Sequence, residues 1–360
     1  MNAVPRLLLI AASVLLLVAA VSNDADGSDI GWLRAAYSGA PENWPAPQLE
    51  EGAEFTEFGP LVRPKRAEGI AAERIALGER LFKDPRLSAS GQIACESCHN
   101  RRLGWGDGLP VAFGHDRQTG TRNAQSLFTA AYMEELFWDG RSASLEDQAH
   151  LPIANPVEMA AEAATIEARL NGDVEYRADF ASAYAVKTIA MDDVASALAI
   201  FQRSIRLPTR KWDRVFTDGT QVLSDQELRG LHLFRTKAGC ANCHNGPLLS
   251  DQKYHNIGMS FYARKYEDVG RYAVTGNPVD VGRFRTPSLR AVQRTGPYMH
   301  NGLIPNLRGL VNLYAGGGGR DRIAQSRTTD APPPQPDPLL RPRQLTRQER
   351  AAIVAFLEIL

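Results

Sequence analysis

The chain has 360 residues, 44% of them hydrophobic, which is enough for two ordinary cores rather than one. Its 41 basic side chains are matched by 41 acidic ones, and this balance argues against a nucleic-acid partner; any partner must be met by a local patch. Arg6 precedes an apolar run from Leu7 to Val21, followed by Ser22 and the polar Asn23-Asp24-Ala25-Asp26. This reads as a secretory signal peptide over residues 1–22, since the run is short for a membrane span; an uncleaved anchor is the alternative.

Residues 23–60 are rich in Pro, Gly and acidic groups and show no sustained period, so they are expected to form an extension on the surface, partly disordered as the alternative. From residue 67 to 84 apolar residues recur at helical spacing (Ile70, Ile75, Leu77, Leu81, Phe82). That amphipathic helix leads into Cys95-Glu96-Ser97-Cys98-His99. Two cysteines followed at once by a histidine are the attachment site of a covalent c-type haem, with His99 as proximal iron ligand. A second copy, Cys240-Ala-Asn-Cys243-His244, uses the remaining two cysteines. A zinc site of four thiolates or a pair of disulfides would leave both histidines unexplained. Two covalent haems are expected, and covalent haem attachment outside the cytoplasm agrees with the leader on a periplasmic address.

Helical patterns also cover about 160–170, 173–184 and 192–205, and few stretches alternate with the period of a strand. Before each haem motif stands Gly-x-x-Leu-Phe, at Gly78 to Phe82 and at Gly230 to Phe234, with Asn after the histidine in both copies. The expected fold is mainly α, with two cytochrome c-like haem domains in tandem, 61–215 and 216–360, and long irregular loops. Ser224 with Glu227, and Thr346 with Glu349, predict capping boxes that start the second leading helix and the last helix. Residues 246–300 are loop-rich, as expected of chain wrapped around a haem edge, and 316–343, with Gly316 to Gly319 and a proline-rich run, are expected to form an exposed excursion.

Over residues 66–360 the chain resembles the bacterial di-haem cytochrome c peroxidase family, which also contains MauG. Phe137-Trp138-Asp139-Gly140-Arg141, Leu145-Glu-Asp-Gln148 and Pro152-Ile-Ala-Asn155-Pro156-Val-Glu158-Met159 carry the likeness. The resemblance implies that Gln148 and Glu158 line a peroxide site at the first haem, that Pro152 shapes it, and that Trp138 lies on the electron path between haems. The residue types suit the chemistry, because cleaving peroxide needs a proton taken from one oxygen and returned to the other, and a carboxylate does this. Gln148 can orient peroxide or water without titrating.

The same resemblance implies a Ca²⁺ site from Asn123, Thr295 and Pro297, whose hard oxygens suit that ion. Arg285 and Arg290 are candidates for pairing haem propionates, since guanidinium binds carboxylates bidentately. Fourteen residues after His300, where most peroxidases of the family carry a methionine ligand to the second haem, stands Tyr314, as in MauG. A phenolate stabilises Fe(III) and higher states, whereas a thioether favours Fe(II); Met259 and Met299 are the alternative donors. Sixteen residues after His99 stands His115, which matches the peroxidase histidine that caps the resting first haem. The expected activity is reduction of hydrogen peroxide with electrons from a small c-type cytochrome or cupredoxin. A MauG-like oxidase acting on a protein substrate is the near alternative, and a di-haem electron carrier the distant one. The resemblance also allows a homodimer.

Overall fold

The computed structural model describes residues 29–62, 68–321 and 329–360. The expected signal peptide lies outside the described residues. Among those described, no helix is long and apolar enough to cross a membrane.

The chain is mainly helical: α1 (Ile30–Ala36), α2 (Ile70–Phe82), α3 (Leu145–Ala154), α4 (Ala163–Gly172), α5 (Val174–Tyr184), α6 (Met191–Ser204), α7 (Lys211–Asp218), α8 (Asp225–Arg235), α9 (Leu307–Ala315) and α10 (Arg347–Glu358). Shorter helical turns and one two-stranded antiparallel ladder, β1 (Tyr254–His255) with β2 (Phe284–Arg285), complete the regular structure. The spacing-based helices are present within a few residues. Both capping boxes form, with Ser224 Oγ accepting from Glu227 N–H and Thr346 Oγ from Glu349 N–H.

Two large apolar cores hold most of the buried side chains, beside a small third cluster of Tyr262, Ala263, Val281 and Ala331. One gathers Leu77, Leu81 and Phe82 of α2 with Val194, Leu198 and Phe201 of α6 and with Leu145, Ala149 and Ile153 of α3. The other gathers Leu231 and Phe234 of α8 with Ile353 and Phe356 of α10. The repeated glycines explain how each core closes. A Cβ on Gly78 would lie 2.0 Å from the Ala197 carbonyl oxygen and 2.7 Å from Phe201 Cβ. A Cβ on Gly230 would meet the Ala352 oxygen at 2.0 Å and Phe356 Cβ at 2.7 Å. Each glycine therefore lets its helix cross a partner helix at backbone contact, and the partners repeat as well, as Ala197-x-x-x-Phe201 and Ala352-x-x-x-Phe356.

Two expectations need correction. The segment after residue 29 is not a loose surface extension: Leu33 and Tyr37 are fully buried, with Trp44 and Phe58 nearly so, all within the second core. The aromatic residues, which the Pro and Gly content masked, supply that burial. They enclose Arg235, whose side chain is wholly buried, pairs with Glu57 and has its guanidinium 5.2–5.6 Å from the rings of Phe58, Phe55 and Trp44. Nor is the proline-rich excursion simply exposed. Asp337 is buried, its N–H donating to the Asn256 carbonyl, while Asn256 Nδ2 donates to the Gln335 carbonyl.

Candidate functional site

One continuous cavity of about 930 Å³ runs between the two cores. The first motif reaches it where a short helix (Cys95–Cys98) places Cys95, Cys98 and His99 on the wall. Cys240, Cys243 and His244 line it from the other side. The two histidines are held alike: a ring Nδ1 sits 3.1 Å from the Trp105 carbonyl in His99 and 3.0 Å from the Leu249 carbonyl in His244. A carbonyl partner requires Nδ1 to carry the proton, which leaves Nε2 as the ligating nitrogen. Burial lowers both imidazole pKa values, keeping the rings neutral and able to ligate. Burial also pushes the thiols of Cys95 and Cys240 up to about 12 and that of Cys98 up to about 11.

The cysteines form no disulfide, nor do the two pairs converge. Among the described residues, the one group of three or more His, Cys, Asp and Glu ligand atoms within 4.8 Å of one another is Cys243, Asp251 and His255. A tetrahedral four-thiolate zinc site is therefore not built here.

Helix α3 brings the next residues to the wall by its own periodicity. Ser144 caps it, accepting from Asp147 N–H at 3.0 Å. Leu145, Ala149 and Ile153 recur every fourth position and are buried in the first core, and Gln148 and Pro152, on the adjacent stripe, reach the cavity wall beside Leu145 and Ala149. The turn after α3 is fixed by Asn155, whose Oδ1 accepts from Val157 N–H at 3.0 Å and whose Nδ2 donates to Glu158 Oε1 at 2.9 Å. Burial raises the pKa of Glu158, while the Arg141 charge and the Asn155 hydrogen bond oppose the rise. Asn155 and Arg141 were quoted in the sequence motifs without a role; their proximity to Glu158 depends on this turn.

Trp138 is buried on the same wall, and its Nε1 donates to the Asn123 carbonyl at 3.0 Å. Its indole meets the ring of His300 edge to face, with centroids 6.4 Å apart, and His300 stacks on Phe284 at 3.6 Å. Burial and the nearby Arg122 charge push His300 down to about 4. Arg122 bridges Asp139 at 2.5 Å and Asp268 at 2.7 Å, joining the two parts of the chain beneath Trp138. No local motif announces that bridge, because its members are far apart in sequence.

Tyr314, on α9, lines the cavity near Cys240 and Cys243, and burial raises its phenol pKa. Met299 shares the wall, whereas Met259 does not. Arg285 is buried on the wall, and its pKa falls through burial. Among the described residues it pairs with no carboxylate: its guanidinium contacts the Phe137 carbonyl at 3.3 Å and Met133 Sδ at 2.7 Å. A buried cation with so weak a set of partners fits an anionic group in the cavity, as a haem propionate would be. Arg290 is also buried there and lies 3.4 Å from Asp213.

Asn123, Thr295 and Pro297 line the cavity together. Asn123 Nδ2 donates to the Leu109 carbonyl at 2.8 Å, and neither the Thr295 nor the Pro297 carbonyl accepts a hydrogen bond from a described residue. Carbonyl and amide oxygens are hard donors of the kind Ca²⁺ takes. His115 is the exception among the expected site residues. It does not line the cavity; its N–H is tied to the Val157 and Glu158 carbonyls and its Nε2 lies 3.5 Å from Asp116.

The family model for di-haem cytochrome c peroxidase matches residues 72–221. Cytochrome-c peroxidase IdrP1 of Pseudomonas sp. (strain SCT) is 37% identical over 319 residues, spanning 81% of this chain and 81% of that protein. Methylamine utilization protein MauG of Methylorubrum extorquens is 33% identical over 345 residues, spanning 95% of this chain and 88% of that protein. A crystal structure of a MauG-like protein associated with microbial copper homeostasis superposes with a TM-score of 0.71 at 30% identity, covering 89% of this chain and 94% of that one.

Proposed function

The chain belongs to the di-haem cytochrome c peroxidase family, which includes MauG, and from that premise we propose that it is a periplasmic peroxidase reducing hydrogen peroxide to water. The observation that carries this reading is the convergence of Gln148, Pro152 and Glu158 on the cavity wall that also holds His99. Cys95, Cys98 and His99 would hold the first haem, which would supply the redox-active iron for peroxide reduction. Glu158 supplies the proton chemistry. Its carboxylate accepts the proton of one peroxide oxygen and returns it to the other, so the O–O bond breaks with water as the departing group. The raised pKa moves that carboxyl toward the range in which one group can do both. Gln148 orients the bound peroxide, Asn155 aims Glu158, and Pro152 shapes the pocket.

Cys240, Cys243 and His244 would hold the second haem, with Tyr314 as its further candidate ligand, and Trp138 would lie on the electron path between the two haem sites. The paired cores and repeated helix crossings support tandem haem domains. Arg285 and Arg290 would pair haem propionates, and Asn123, Thr295 and Pro297 would offer oxygens to Ca²⁺. In this reading His115, whose N–H is tied to the Val157 and Glu158 carbonyls beside the cavity, does not close the first haem site, which accepts peroxide without prior reduction. Electrons then arrive from a small c-type cytochrome or cupredoxin. Tyr314 on the wall favours a second reading, a MauG-like oxidase that spends the same oxidising power on a partner protein.

Glu158→Gln tests the proposal. The variant is expected to retain both haem c groups and to lose 10²-fold or more in peroxide turnover, the order of a general acid–base contribution (about 10²–10⁴-fold). Turnover equal to the unsubstituted protein would remove Glu158 from this role.

A further inference from the structure

Tyr254 stands outside the cavity lining that holds Trp138 and is tied to it through the backbone. In the β1–β2 ladder it pairs with Arg285, whose N–H donates to the Trp138 carbonyl at 2.8 Å. Its hydroxyl is pressed against Gly140, two residues after the indole: a Cβ there would lie 1.6 Å from the phenol oxygen. That hydroxyl donates to Glu135 Oε2 at 2.5 Å, a short charge-assisted bond. Arg271 completes the group. Its NH2 reaches Glu135 Oε1 at 3.1 Å, its NH1 reaches the Asp139 and Gly140 carbonyls at 2.9 and 2.8 Å, and its guanidinium lies 4.3 Å from the Tyr254 ring centroid. The Glu135 side chain is 36% exposed, so the carboxylate that faces the phenol also faces water.

A phenol gives up an electron readily only when its proton has somewhere to go, and Glu135 is placed to accept it. We propose that Tyr254 is a redox-active tyrosine, an outlet through which oxidising equivalents generated by peroxide leave the Trp138 region toward the surface. The inference rests on the peroxidase reading above. Peroxide removes two electrons from the protein as its O–O bond breaks, and one of them is replaced from Tyr254. The phenol O–H bond breaks, the proton forms a new O–H bond on Glu135, and the electron passes by way of Trp138 to the oxidised haem pair, leaving a neutral tyrosyl radical. An external one-electron donor, with the proton returned from Glu135, restores the phenol. Arg271 holds the carboxylate in position. A cluster that only bridges the two parts of the chain would form no radical.

The experiment treats the two-haem protein with one equivalent of hydrogen peroxide in the absence of a reductant. Freeze-quench EPR is recorded, and parallel samples containing a nitroso spin trap are digested and mapped by mass spectrometry. The expected result is a tyrosyl signal with the trap adduct on Tyr254, both lost in Tyr254→Phe and reduced several-fold in Glu135→Gln. An adduct confined to other residues, or the same tyrosyl signal in Tyr254→Phe, would overturn the proposal. Should Tyr254→Phe fail to take up haem, the adduct map of the unsubstituted protein decides alone. Haem absorbance in the same samples separates the two claims: spectral change without an adduct on Tyr254 defeats only this inference, whereas haems inert to peroxide defeat the peroxidase reading and this inference with it.

Discussion

His255 shows how single side chains set the conditions around the second haem motif. Its Nε2 lies 2.8 Å from Asp251 and its Nδ1 2.8 Å from Asp337, both carboxylates nearly buried. With an acceptor on each nitrogen, both must carry protons, so the ring is a cation between two anions. Burial lowers the pKa of His255, but the two carboxylates and the neighbouring Cys243 outweigh it and raise it, and His255 in turn lowers both aspartates despite their burial. The aspartates' contribution to stability is therefore present above the ordinary carboxylate pKa of about 4 and is lost as pH falls through their lowered values. That of His255 is complete below about pH 6.5 and declines as pH rises toward its folded value. Asp337→Asn should cost roughly 1.5–3 kcal/mol near neutral pH, the scale of a hydrogen bond to a charged group. In urea denaturation the difference from the unsubstituted protein should shrink in acid; a difference constant with pH would contradict the ion triad. Local sequence could not name Asp337 as a partner of His255, because it is brought in by the fold of the proline-rich segment. Arg285 teaches the converse: its residue type suggested a propionate partner, and the structure adds the burial that makes such a partner necessary.

Helices were legible where burial is one-sided. The stripes of α2, α6 and α10 gave their positions because each presents a single apolar face to one core. Helix α3 was legible only as a motif, since its two useful faces are the buried stripe and the cavity stripe, and Pro152 obscures the helical signal. The repeated Gly78 and Gly230 were visible as a pattern whose cause lies in the partner helices. At these crossings the added methyl of an alanine would overlap a carbonyl oxygen on a packed neighbour, and backbone cannot yield as a side-chain tip can. Gly230→Ala is expected to lower stability by about 1–3 kcal/mol, the usual range for overpacking. Equilibrium denaturation reads this directly, and an unchanged midpoint would show that the α8–α10 crossing can separate at little cost.

Across the whole molecule, the segment from residue 29 to 62 ties itself to the second haem motif and its leading helix. Glu50 N–H donates to Asn242 Oδ1, between the two cysteines, and Thr56 N–H to Asn245 Oδ1, just after His244. Glu57 neutralises the buried Arg235 from the same segment. Glu57→Ala would leave that cation inside an aromatic cage without its anion, a change that typically costs about 3–5 kcal/mol and less here because Glu57 is partly exposed. The expected readout is a lowered thermal midpoint for the second haem unit; a stability equal to the unsubstituted protein would make the segment a passive covering. These contacts join positions nearly two hundred residues apart, which explains why composition alone suggested a loose extension. The central claim, a first haem site open to peroxide and served by Glu158, is tested most directly on the as-isolated diferric protein. One equivalent of hydrogen peroxide is added while optical and EPR spectra are followed. Rapid loss of the ferric signals without added reductant, slowed strongly in Glu158→Gln, is the predicted result. No reaction until an electron is supplied would contradict it and would return His115 to the role of a ligand that closes the site at rest.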